Sequence, residues 1–75
     1  MIKREELTNP SSCLNRAADD EPIFVLRAHD QCAVATVLAW ANYRIECGKS
    51  TKGSPEIVEA YRWCNVVAMW RKERE

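Results

Sequence analysis

Net charge is missing from this 75-residue chain: eleven Lys and Arg stand against eleven Asp and Glu. A neutral chain has no long-range pull on nucleic-acid phosphates. At both ends, Lys3-Arg4-Glu5-Glu6 and Arg71-Lys72-Glu73-Arg74-Glu75, acids are interleaved with the bases, so local attraction to phosphate is largely offset as well. Direct sequence-specific nucleic-acid binding is not expected. Histidine is scarce too, since His29 is the only one. Nucleophilic catalysis needs a Ser or Cys beside a base and a third orienting group. The local set His29, Asp30 and Cys32 is weak support for that, because such groups converge from distant positions and Asp30 is already suited to capping a helix. The chain is read as not an enzyme, and Asp19, Asp20 and Glu21, beside a proline, are read as a solvated turn.

Glycine is nearly absent, with only Gly48 and Gly53. Gly48-Lys49-Ser50-Thr51 resembles the tail of a phosphate-binding loop, but Tyr43 stands where that motif needs its first glycine. The same residues serve as a helix C-cap and a polar turn. No apolar run reaches the roughly 18 residues that suggest a membrane span, and MIKREELTNP lacks the apolar core of a signal peptide. A cytoplasmic protein with free thiols is the expectation. Paired metal-ligand spacings such as C-x-x-C are also missing: Cys13, Cys32, Cys47 and Cys64 lie 15 to 19 positions apart. They are read as small buried hydrophobes. No metal and no cofactor are expected.

What is present is apolar residue, 47% of the chain, enough to argue against a disordered tail. Residues 1–75 make a single small domain, with 1–8 flexible and 72–75 a frayed tail. A chain this short buries only about 60% of its unfolded surface, so a bound partner would contribute to its stability. Asn9-Pro10-Ser11-Ser12 suggests a short helix over about 10–18, broken by Asp19-Asp20-Glu21-Pro22. Asp30 suits the N-cap of a helix reaching about Cys47, with Gly48 in the left-handed position beyond it. Val34, Val37, Leu38, Ala41 and Ile45 share one face of it. Ser54-Pro55-Glu56 opens a last helix to about Lys72, whose apolar arc is Ile57, Ala60, Tyr61, Cys64, Val67 and Ala68. These two helices make an αα-hairpin across 48–54, with alanines on both arms permitting close approach. Between the short helix and the hairpin, Pro22-Ile23-Phe24-Val25-Leu26 reads as one short strand. The fold class is mainly α, with a small α+β arrangement as the alternative.

A lone strand must pair or stay wet, because each buried unpaired backbone group costs about 1–3 kcal/mol. Residues 2–7, a second copy, or the sheet edge of a partner could receive it; alternatively it packs irregularly on the hairpin. Trp40 and Tyr43 fall away from the first long helix's apolar stripe, and Trp63 and Trp70 share an edge of the last helix. Either a second core face covers these rings or some of them anchor an interface, where Trp, Tyr and Arg dominate.

The stretch Asn9-Pro10-Ser11-Ser12-Cys13-Leu14-Asn15-Arg16-Ala17-Ala18-Asp19-Asp20-Glu21-Pro22-Ile23-Phe24-Val25-Leu26-Arg27-Ala28 resembles a group of very small proteins encoded by tailed bacteriophages. Within it the chain is similar to phage transcription factors that dock on host bacterial RNA polymerase. The resemblance covers about a quarter of the sequence and brings no binding-residue motif with it. It implies a regulator in the host cell cytoplasm that binds the polymerase, inhibits promoter-dependent initiation and promotes antitermination by occupying protein surface. Phe24, Arg27, Trp40, Tyr43 and Arg44 are the candidate contacts. The alternative is an anti-defence protein that binds a nuclease or sequesters a signalling nucleotide, with Arg27, Lys49, Lys52 and Arg62 as phosphate ligands. A homo-oligomer built through the strand is a third reading.

Overall fold

A computed structural model describes residues 2–74. Among the described residues there are four helices and no strand: α1 Lys3–Thr8, α2 Cys13–Arg16, α3 Ala33–Glu46 and α4 Pro55–Glu73. The mainly α class holds; the strand does not.

Proline 10 sets the N-terminal geometry. The residue before a proline is pushed out of the helical region, and Asn9 accordingly is extended at φ −86°, ψ 115°, which ends α1. The chain turns through Pro10 and Ser11 and starts again at Ser12, the N-cap of α2, whose hydroxyl accepts the Asn15 N–H at 3.1 Å. This second helix is shorter than the 10–18 read from the sequence. A helix of six residues leaves most of its last carbonyls without partners inside it. Here side chains of α2 supply them: Ser12 Oγ donates to Glu6 O at 2.6 Å, and Asn15 Nδ2 donates to Glu6 O at 2.9 Å and to Asn9 O at 2.8 Å. Ser12 is buried by this arrangement.

The expected strand over 22–26 is a correction. Residues 21–27 have no regular structure, and residues 2–7, the one intrachain candidate to pair with them, lie almost wholly in α1. A helix satisfies its own backbone groups and offers no edge. Among the described residues no second strand stands beside 22–26, and Ile23, Phe24 and Val25 are all exposed while Leu26 is half-buried.

Asp30 caps a turn rather than the helix itself. Its Oδ1 accepts the Cys32 N–H at 2.8 Å and its carbonyl accepts the Ala33 N–H at 3.1 Å, so α3 begins two residues later than expected. Its other end follows the sequence reading closely. Gly48 sits at φ 75°, its N–H donates to Ile45 O, and the Lys49 N–H donates to Arg44 O, the paired bonds of a Schellman cap. Ser54 holds the N-cap position of α4 ahead of Pro55, but its hydroxyl turns back to accept the Thr51 N–H at 2.8 Å.

Packing in the hairpin is built on small residues. The buried apolar set is Ala33 and Ala41 of α3 against Ile57, Ala60 and Val67 of α4. Positions 57, 60, 64, 67 and 71 alternate three and four apart, the seam of a close helix pair. Leu38 and Ala68, expected on the inner faces, lie outside this seam and are exposed. Alanine brings the two helix backbones together but buries little area.

Candidate functional site

On α3, one turn separates Trp40 from Arg44, and both rings expected to fall off the apolar stripe are uncovered: Trp40 is 45% exposed and Tyr43 67%. The Arg44 guanidinium lies over the Trp40 ring at 5.5 Å from its centroid, a cation–π distance. Arg44 is held from the other side as well. Its Nε donates to Ser50 Oγ at 2.9 Å, and that hydroxyl donates to Glu56 Oε1 at 2.7 Å. The relay ties the last turn of α3, through the buried Ser50, to the first turn of α4. The hydrogen bond from Ser50, another from the backbone of Glu56 and the nearby Arg44 charge hold the Glu56 carboxyl below its ordinary pKa, against a weaker opposing effect of burial. The aromatic–arginine face is thus braced by the fold itself.

Phe24 and Arg27 belong to a different part of the molecule. Phe24 is 86% exposed. Arg27 lines a shallow cavity of about 300 Å³ with Val25, His29 and Asp30. The run is fixed at both ends: the Glu21 N–H donates to Ala18 O, and Arg71 of α4 donates from Nε to Ala28 O at 3.0 Å and from Nη2 to His29 O at 3.2 Å. Trp63 and Trp70 are half-buried, and Arg74 stacks on Trp70 at 3.9 Å.

A larger groove of about 630 Å³ lies between the start of α1 and the outer face of α4, walled by Ile2, Pro55, Val58, Trp63 and Val66 and edged by Arg62. Sequence reading missed it. The signal was a second stripe on α4, Val58, Arg62, Val66 and Met69, at helical spacing on the flank of the buried seam.

Other candidate chemistry dissolves into structure. Ser50 of the phosphate-loop look-alike is buried in the relay, and the glycine before it is a helix cap. Arg62 and Arg27 line separate cavities. Among the described residues, no three His, Cys, Asp or Glu side chains gather where they could hold a metal, and no helix is long and apolar enough to cross a membrane. Compared with protein families, with characterised proteins and with solved structures, the chain matches none.

Proposed function

We propose that this chain is a non-catalytic binding module that acts by docking on a larger protein through the α3 face. The observation that carries this reading is the uncovered pair Trp40 and Tyr43 beside a braced Arg44. Side chains left 45% and 67% exposed stabilise the free domain less than buried ones would, whereas Trp, Tyr and Arg are the residues that dominate binding hot spots. Pre-ordering of Arg44 lowers the entropy lost on association. Phe24 and Arg27 form a second contact area.

The partner we propose is host bacterial RNA polymerase, on the resemblance of residues 9–28 to the phage proteins that bind it. In this reading the module, in the host cytoplasm, disfavours promoter-dependent initiation and promotes antitermination sterically and allosterically, with no base reading of its own. The neutral charge balance supports a protein partner over a nucleic-acid one.

The test is affinity capture from bacterial lysate by the full chain, compared with a Trp40→Ala/Tyr43→Ala double variant. Polymerase subunits should be recovered near stoichiometrically with the natural chain. The double variant should lose them by at least about tenfold, with thermal unfolding nearly unchanged, since hot-spot truncations cost about 2 kcal/mol or more of binding. A collapse of stability instead would place the rings in the core, and capture without polymerase would remove the proposed partner.

A further inference from the structure

Two surfaces remain that the α3 face does not use: the exposed run Ile23, Phe24 and Val25, and the unfilled α4 groove. We propose that two copies of this chain pair about a two-fold axis, each seating residues 23–25 in the groove of the other.

The chain exposes 6340 Å², whereas a compact protein of its mass exposes about 4,700 Å². The excess, roughly 1,600 Å², is twice the approximately 800 Å² that each partner contributes to a standard interface. Its radius of gyration of 13.3 Å likewise exceeds the roughly 11 Å of a compact chain of this length. Both halves of the contact belong to one chain. The run lines none of the groove in its own molecule, and Phe24 is almost wholly in water. A groove walled by Ile2, Val58, Trp63 and Val66 offers these side chains the apolar cover they lack.

Charge favours the pairing. With no net charge, two copies do not repel. Asp19, Asp20 and Glu21 precede the run and Arg27 follows it, while the groove is edged by Arg62 and by the acids Glu5 and Glu59, so each end of the run has an opposite charge to meet. A reciprocal exchange about a two-fold closes on itself and leaves neither an open run nor an open groove, which a head-to-tail chain of copies would. The inference goes beyond the polymerase reading and uses neither Trp40 nor Tyr43; it shares Phe24 with that reading's second contact area, so Val66→Asp, which alters the groove alone, tells the two apart.

Sedimentation velocity on the purified full chain tests it, together with Phe24→Asp and Val66→Asp, both at exposed positions where circular dichroism should report an unchanged fold. The natural chain should sediment as a dimer, and each variant should self-associate at least about tenfold more weakly, as loss of a central apolar anchor produces. An equimolar mixture of the two variants should recover part of the association. The run of the Val66→Asp copy and the groove of the Phe24→Asp copy are both intact, which restores one of the two contacts. A natural chain that stays monomeric at its highest soluble concentration would overturn the proposal. So would a dimer indifferent to both substitutions, or a mixture that associates no better than its components.

Discussion

At the scale of single residues, chemistry follows position in the fold more than residue type. The four cysteines were read alike from composition, as small buried hydrophobes, yet Cys13, Cys32 and Cys47 are exposed thiols and only Cys64 is half-buried. Cys64 alone falls on the seam of positions 57, 60, 64, 67 and 71, so periodicity held the answer that residue type obscured. Burial pushes the Cys64 thiol pKa up, which lowers its thiolate fraction. A thiol reagent at mildly alkaline pH should modify three cysteines quickly and Cys64 slowly, and denaturant should abolish the difference; mass spectrometry of the labelled chain reads this directly. Glu56 gives a second residue-scale expectation. Its pKa is depressed in the fold, so the stabilisation is fully present above the unfolded glutamate value, about 4.3, and is lost as pH falls through the lower folded value. Glu56→Gln should therefore lower the urea midpoint at neutral pH and flatten its decline in acid. An unchanged acid limb would show that the relay through Ser50 does not stabilise the fold. That relay was not legible in the sequence, because it joins three side chains six positions apart in succession across a turn whose path the residues alone do not define.

At the scale of elements, the hairpin was legible and the strand was not. Gly48 and Ser54-Pro55 punctuate the chain with backbone constraints that hold whatever surrounds them, and the helices end and begin there. The start of α3 shifted because Asp30 can cap a turn or a helix with the same oxygen. A run of β-branched and aromatic residues, by contrast, states only what a strand would prefer. A strand exists as a pair, and residues 2–7 spend their backbone groups on a helix. The alanine seam carries its own prediction. Ala41 is fully buried where α3 meets α4, so Ala41→Leu should force the helices apart and cost about 1–3 kcal/mol, the penalty for overpacking a close contact. Equilibrium denaturation in urea measures it, and a neutral result would mean that the seam has slack.

At the scale of the whole molecule, Ile57 and Val67 are the only large side chains among the described residues that are fully removed from water. Each such burial stabilises by about 1.5–3 kcal/mol, a small sum for a domain of this length. The face that faces outward, Trp40 and Tyr43, was legible as a departure from the α3 stripe. The α4 groove was not, because its facing wall comes from Ile2 and Glu5 at the far end of the sequence. The clasp from Arg71 to the carbonyls of residues 28 and 29 spans more than forty positions, while the hairpin closes across a short turn. Such separation sets an order of assembly: nearby contacts form first, and a bond between remote positions waits until the intervening helices are in place. Arg71→Ala should accordingly leave the refolding rate in stopped-flow experiments almost untouched and quicken unfolding, the behaviour of a contact absent from the transition state. The segment that carries Phe24 would then be the last part of the chain to acquire its shape and the first to give it up.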